Sequence, residues 1–240
     1  MLREIDFHDI LFLDIETVPL KKSHSDLDER MQELWEKKSA YFRNEDESAS
    51  DVYSRAAIYA EFGKIICISV GVLTGNDNLP GLRIKSFAGD DEKKLLIEFT
   101  DMLKNFPSDR TIYLCAHNGK EFDFPYLARR ILINRLELPE MLNIAGKKPW
   151  EVRHLDTMEL WKFGDYKHYT SLDLLSAIFD IPSPKTDMDG SRVANVYWEE
   201  GDLPRIIDYC QNDVIAIVQL MMRYTSRNLI DPDRVEIVSD

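Results

Sequence analysis

Short runs of apolar residues, many of them β-branched, are separated along this chain by polar turns and predict its strands. The runs occupy residues 9–15, 64–73, 82–88, 111–116 and 152–155. The second and third runs are joined by the turn at 74–80, so they predict an antiparallel hairpin with a longer loop.

Charged stretches with apolar residues at helical spacing predict the helices. They lie at residues 26–42, 92–106, 124–134, 157–162, 171–179 and from 203 to about 226. This order implies an α/β or α+β fold with a single central mixed five-stranded sheet and helices on both faces. At 240 residues the chain fits one domain, 1–240, with a possible helical insertion at about 20–60.

The first strand ends in two carboxylates. In Leu11-Phe12-Leu13-Asp14-Ile15-Glu16-Thr17, the two acids are one residue apart, so they project to the same side of a strand. Two anions that close repel each other, and a hard divalent cation between them is the usual solution. The competing interpretation is an exposed strand end where both acids are solvated.

Two further acids stand where a carboxylate needs an explanation. Asp123 falls at a strand-to-helix corner, close to Pro125, which suits the first turn of a helix. Asp213 shares a face of the last helix with Tyr209 and is followed by the apolar run 214–218, so it needs a partner. Taken singly, Asp123 is explained as a helix cap and Asp213 as a solvated residue.

Taken together, these residues resemble the DEDD family of 3′–5′ exonucleases, which belongs to the ribonuclease H-like superfamily. Asp14-Ile15-Glu16-Thr17 matches the first motif, and residues 118–127 match the second, Asn-x3-Phe-Asp-x-Pro-Tyr-Leu. Tyr209 and Asp213 match the third, Tyr-x3-Asp. The form of the motifs is similar to that of proofreading domains of family B DNA polymerases. The resemblance covers about residues 9–224, which it implies to be the catalytic core, and this extent indicates a stand-alone α/β exonuclease.

The third motif also selects a branch of the family. The histidine branch carries a histidine five residues before the final aspartate, where this chain has Asp208. The tyrosine branch, DEDDy, is therefore favoured.

The resemblance implies a ribonuclease H-like fold and hydrolysis of phosphodiesters with two Mg²⁺ or Mn²⁺ ions. The implied metal ligands are Asp14, Glu16, Asp123 and Asp213. Tyr209 is implied to orient the attacking water, because its ordinary pKa of about 10 makes it a poor base. The implied substrate contacts are Thr17, Asn118, Phe122 and Tyr126. Phe122 and Tyr126 are equally well explained as core residues.

Composition bears on partners and location. The net charge of −13 is unlike that of proteins that coat nucleic acid by charge alone, although bound cations reverse the local field of a pocket. Three cysteines, the lack of a secretory pattern and the lack of a membrane-spanning run lead us to expect a cytoplasmic protein with buried thiols and no membrane partner. The expected partner is a single-stranded 3′ end of nucleic acid, DNA rather than RNA.

Basic residues between the second and third motifs are candidates for tracking a phosphate backbone, although solvated surface is the simpler explanation. They are Arg129, Arg130, Arg135, Lys147, Lys148, Arg153, Lys162, Lys167 and Lys185. Three other functions stay open at this point: an exoribonuclease or oligoribonuclease with the same site, a hydrolase of small nucleotides, and a catalytically silent nucleic-acid-binding module.

Overall fold

The computed structural model describes residues 5–76, 78–107, 110–165, 169–182 and 188–238. Within these ranges six strands form one sheet in the order β5-β4-β1-β2-β3-β6. The strands are β1 (Ile10–Pro19), β2 (Gly63–Asn76), β3 (Leu79–Ala88), β4 (Tyr113–Ala116), β5 (Leu155–Asp156) and β6 (Val235–Val238).

The first strand lies in the middle of the sheet. It pairs antiparallel with β2 and parallel with β4. Strand β3 pairs antiparallel with β2. The two edge strands are parallel to their neighbours: β5 pairs with β4, and β6 pairs with β3. The predicted mixed sheet is confirmed, but the number of strands was one too few. The missed strand, β6, has only four residues and lies at the sheet edge with its central residues exposed, so it lacks a strong apolar run.

The helices fall close to their predicted positions. They are α1 (Glu29–Ser39), α2 (Glu92–Lys104), α3 (Asp123–Ile133), α4 (Thr157–Lys162), α5 (Leu172–Ile178), α6 (Val193–Asn195) and α7 (Leu203–Tyr224). The short α6, which continues into a π-helical turn at Val196–Glu200, was not predicted because three residues show no helical period. Among the described residues, no helix combines the length and apolarity needed to cross a bilayer.

Alternation along β1 places a helical layer on each face of the sheet. Leu11, Leu13 and Ile15 pack into an apolar cluster with residues of α2 and α3. Ile10 and Phe12 pack on the opposite face with residues of α7. The predicted α/β architecture is therefore confirmed, and side chains that continue the row of Ile10 and Phe12 point toward α7.

The segment between β1 and β2 has a small apolar cluster of its own. Its centre is Trp35, which is fully buried and donates a hydrogen bond from Nε1 to the Ala49 carbonyl at 2.8 Å. Helix α1 is shorter than the predicted 26–42 because Asp28 caps its start, accepting from the Met31 N–H. We call residues 20–62 the insertion.

Candidate active site

The two acids of β1 lie on the face that α7 covers. Asp14 and Glu16 continue the row of Ile10 and Phe12, and Glu16 is only 7% exposed. The register between β1 and β2 shifts between Glu16 and Thr17, a bulge of the kind that redirects side chains beside functional sites. As a result, the four consecutive residues 14–17 all line one cleft.

The other two acids of the sequence motifs line the same cleft, which has a volume of about 1170 Å³. Asp123 begins α3 just beyond the end of β4, and it is 3% exposed. Asp213 and Tyr209 reach the cleft from α7, one helical turn apart. Residues more than 100 positions apart in the chain are thus brought together at one end of the sheet.

Burial raises the pKa of each of the four acids, and repulsion from neighbouring acids raises it further, from Asp173 in the case of Asp213. Burial is the largest cause throughout. The pKa values of Asp14 and Glu16 are raised further by the charges of Asp213 and Asp123. The pKa of Asp123 rises to about 7, although hydrogen bonding to its own backbone and to that of Ile15 works in the opposite direction. The pKa of Asp213 rises to about 6, where a hydrogen bond from Tyr209 likewise opposes the rise.

No lysine or arginine is among the described residues that line the cleft, so nothing there neutralises these acids. Two more acids, Asp173 and Asp189, line it as well. Asp14, Glu16 and Cys210 each place a potential ligand atom within 4.8 Å of the others. Clustered carboxylate oxygens are the donors preferred by hard divalent cations, so the donor set fits Mg²⁺ or Mn²⁺.

Tyr209 keeps its proton at this site. Burial raises its pKa strongly, and the nearby negative charges of Asp213, Glu16 and Asp14 raise it further. Its hydroxyl therefore acts as a hydrogen-bond donor rather than as a base.

Asp156 fixes the loop that precedes Asp123. Its carboxylate accepts the backbone N–H groups of Asn118 and Lys120, each at 3.0 Å, and also caps the start of α4 through Met158 and Glu159. Asp156 therefore both supports the loop at the site and caps α4, because one carboxylate has enough lone pairs for all four donors.

Three of the four expected substrate contacts line the cleft: Thr17, Asn118 and Phe122. Asn118 has a left-handed backbone, φ 62°, and its buried Oδ1 has no hydrogen-bond partner among the described residues. The Thr17 hydroxyl already donates to the Ala57 carbonyl at 2.9 Å, which leaves its backbone to contact a ligand.

Tyr126 does not fit a direct substrate contact. It is 1% exposed, packs in the core between α3 and the sheet, and donates its hydroxyl to the Ala57 carbonyl at 2.8 Å. A ring enclosed in this way has no face free for a base. The alternative explanation, a core residue, is the one that the structure supports.

His117 also lines the cleft, but both of its ring nitrogens are engaged. Nδ1 lies 2.8 Å from the Thr157 hydroxyl, and Nε2 lies 2.9 Å from the Thr170 carbonyl. Burial lowers its pKa. His117 is therefore a hydrogen-bonding residue next to the end of β4.

The proposed basic track is not part of the cleft. None of the described candidates among the basic residues lines it, and Arg130 is buried in an ion pair with Glu92. Lys167 and Lys185 lie outside the described residues.

Sequence reasoning also missed several residues at the site. The Cys210 thiol lies 3.4 Å from an Asp14 carboxylate oxygen. Residues missed along the lining of the cleft include Ala57, Ile58, Tyr169, Ser171, Leu172, Ser176, Met188, Gly190, Asn212 and Ala216. Cys210, Asn212 and Ala216 lie in or beside the third motif, whereas the others are far from the motifs in the chain and have no such sequence signal.

A mixed sheet whose central strand and two flanking helices gather four acids and a tyrosine defines a ribonuclease H-like exonuclease. Residues 58–236 match the family of predicted 3′–5′ exonucleases related to the exonuclease domain of PolB, and the chain belongs to this family. The matched range includes Asp123, Tyr209 and Asp213, whereas Asp14 and Glu16 precede it. No curated protein matches the chain. Family membership confirms the predicted class, a hydrolase with nucleic acid as its substrate.

Proposed function

We propose that this protein removes nucleotides from single-stranded DNA 3′ ends with two divalent metal ions, releasing nucleoside 5′-monophosphates. The observation that carries the proposal is the gathering of Asp14, Glu16, Asp123 and Asp213 in one cleft, with no lysine or arginine among the described residues that line it. Acids whose pKa values are raised by burial and by neighbouring acids are costly unless cations bind them. The four carboxylates would hold the ions.

Divalent ions bound there supply positive charge beside the scissile phosphate and lower the pKa of a bound water. The chain's own groups orient the reactants. Tyr209, which stays protonated, donates a hydrogen bond and so holds the attacking water in line. Asp156 fixes the loop before Asp123 through the backbone N–H groups of Asn118 and Lys120. Asn118, which lines the cleft, contacts the sugar of the terminal nucleotide.

Two further features belong to the proposal. The three cysteines are free and buried, as expected of a protein in a reducing cytoplasm. A single catalytic domain, 1–240, is supported by the contacts that tie the insertion to the rest of the chain, described below.

The test compares substrates and variants under one set of conditions. Single-stranded DNA and matched RNA, both 5′-labelled, and a dinucleotide are incubated with Mg²⁺ or Mn²⁺. The wild type should shorten the DNA stepwise from its 3′ end, and Asp14→Asn should reduce the rate by at least about a hundredfold. Asp101→Asn, an exposed acid on α2 paired with Lys104, is the control and should retain full activity.

The rival functions give different results in the same assay. Faster shortening of RNA would indicate an exoribonuclease, and turnover of the dinucleotide alone would indicate a hydrolase of small nucleotides. No turnover of any substrate with either metal would leave the binding module as the explanation.

A further inference from the structure

One wall of the cleft comes from the insertion rather than from the elements that carry the acids. Ala57 and Ile58 line the cleft together with Thr17, Phe122 and Asp123. Ile58 has 51% of its surface exposed, although it stands in a cleft dominated by carboxylates. An apolar side chain in a ligand cleft contributes binding by contact with an apolar part of the ligand.

This wall is held in position by hydrogen bonds from β1 and α3. The Ala57 carbonyl accepts from the Thr17 hydroxyl at 2.9 Å and from the Tyr126 hydroxyl at 2.8 Å. Three residues further on, the Ala60 carbonyl accepts from Arg130 Nη1 at 2.8 Å. Because Thr17 follows Glu16 and Tyr126 lies one turn from Asp123, the wall is fixed relative to the acids.

Close packing around Gly63 reinforces this arrangement. A Cβ at that position would collide with the Tyr126 hydroxyl and lie 2.8 Å from the Ala57 carbonyl. Glycine, which has no Cβ, is therefore the residue type at the start of β2 that leaves room for the Tyr126 hydroxyl to bond to Ala57.

A 3′-terminal nucleotide offers two chemically different parts to this cleft. Its phosphate and sugar belong with the acids, whereas the faces of its base are apolar and polarisable. Ile58 and Phe122 are among the large apolar residues that line the cleft. Ile58 follows Ala57, whose carbonyl is bonded to Thr17, and Phe122 directly precedes Asp123, with its ring 5.2 Å from that of Tyr126. The apolar wall thus adjoins the end of the cleft where the terminal nucleotide is cleaved.

We propose that Ile58 is a specificity-determining residue that contacts the base of the 3′-terminal nucleotide. Tyr126 is the positioning residue that holds Ile58 in place through the Ala57 carbonyl. The inference rests on the proposed exonuclease function and deepens it, since it assigns recognition of the base to the insertion, which contains none of the exonuclease motifs.

The first experiment uses two 5′-labelled single-stranded DNAs that differ only at the 3′-terminal nucleotide, which is normal in one and abasic in the other. On the normal DNA, Ile58→Ala should raise KM about five- to tenfold with little change in kcat, because a ground-state contact with the base is lost. On the abasic DNA the variant should match the wild type, since no base remains to contact.

The matched control is Ile133→Ala. Ile133 is the last residue of α3, is 49% exposed and does not line the cleft. The Ile133→Ala variant removes the same number of carbon atoms as Ile58→Ala, from a comparably exposed position. Its KM and kcat should match those of the wild type on both DNAs.

The second variant, Tyr126→Phe, removes only the hydroxyl that reaches Ala57. It should raise KM about two- to threefold on the normal DNA and leave the abasic DNA unaffected. A purely structural role for Tyr126 would instead lower the melting temperature and change both DNAs equally.

Three results would overturn the inference while the proposed function stands. In the first, Ile58→Ala has the same kinetics as Ile133→Ala. In the second, Ile58→Ala raises KM equally on both DNAs. In the third, Ile58→Ala lowers kcat and leaves KM unchanged. Failure of the wild type to shorten either DNA with Mg²⁺ or Mn²⁺ would overturn the proposed function, and the inference with it. The two failures are therefore distinguishable by wild-type activity.

Discussion

At the scale of single residues, the candidate site gathers acids at a cost to the metal-free protein. Asp213 shows this most simply, because its pKa rises to about 6 in the folded chain from an ordinary value of 3.8. Between those two values the folded protein binds more protons than the unfolded chain, so its stability falls as the pH rises from about 4 to 6. The acids are retained against this cost, which is what a site built for cations requires.

We therefore expect Asp213→Asn to be more stable than the wild type when metal is chelated. The gain should be near zero below about pH 4, grow through about pH 6 and level off above it at roughly 1–3 kcal/mol. Urea unfolding in EDTA across this pH range measures it. Asp101→Asn should show no such pH dependence, and a variant less stable than the wild type near pH 8 would contradict the idea.

Adding Mg²⁺ should reverse the order. The wild type gains stability because the ions bind only the folded state, whereas Asp213→Asn lacks one of the four carboxylates and gains less. A thermal shift titration near pH 8 checks this. An equal rise in melting temperature for wild type and variant would show that Asp213 is not a ligand.

The acids that line this cleft were easier to predict from the sequence than the other residues that line it, because their positions follow from local geometry. The period of two on β1 and the turn-long spacing of Tyr209 and Asp213 are local geometry, which spacing alone reveals. The position of Tyr126 depends instead on a hydrogen bond to Ala57, 69 residues away. No local pattern in the sequence reveals such a contact. Tyr126, which positions the insertion, was therefore predicted to contact the substrate.

At the scale of secondary-structure elements, a buried ion pair ties α2, α3 and the insertion together. Arg130 on α3 is 4% exposed and pairs with Glu92 through Nε at 2.8 Å and through Nη2. Glu92 also accepts the Ile65 N–H at 2.7 Å. Both charged groups are shielded from solvent, so removing one partner leaves the other buried and unpaired.

Arg130→Leu should therefore destabilise the protein by about 3–5 kcal/mol. Urea unfolding gives the value, and the neighbouring exposed Arg129→Leu should stay within about 0.5 kcal/mol of the wild type. The double variant Glu92→Leu/Arg130→Leu should recover part of the loss, because no charge is then left buried. A single variant as stable as Arg129→Leu would show that the pair contributes little.

Element bounds were predictable where one face of a long segment is apolar, as in α2, α3 and α7. They were not predictable for β6 and α6, which are too short to show a period. One candidate for the expected basic groove, Arg130, was misassigned for a related reason. In the sequence, Arg130 looks like an ordinary charged residue on the exposed face of a helix. Only its pairing with the Glu92 carboxylate, 38 positions away, shows that the Arg130 side chain is buried.

At the scale of the whole molecule, the insertion decides whether the chain is one cooperative unit. Its cluster around Trp35 is separate from the two clusters that flank the sheet. Three hydrogen bonds nevertheless join its end to β1 and α3: Thr17 and Tyr126 with Ala57, and Arg130 with Ala60. Sequence could indicate an inserted helix, but it could not show that the insertion forms a wall of the cleft.

These connections lead us to expect one unfolding transition for the chain. Tryptophan fluorescence and far-UV circular dichroism should give superimposable thermal curves for the wild type, as a two-state domain requires. Trp35→Ala removes a fully buried ring from the insertion, which should cost about 3–5 kcal/mol and lower both curves together by roughly 10 °C. Trp35→Phe keeps an aromatic ring in the cluster and should lower them less. Separate transitions, with the insertion melting before the sheet, would show instead that residues 20–62 form an independent unit, and the wall at Ile58 would then be lost before the fold.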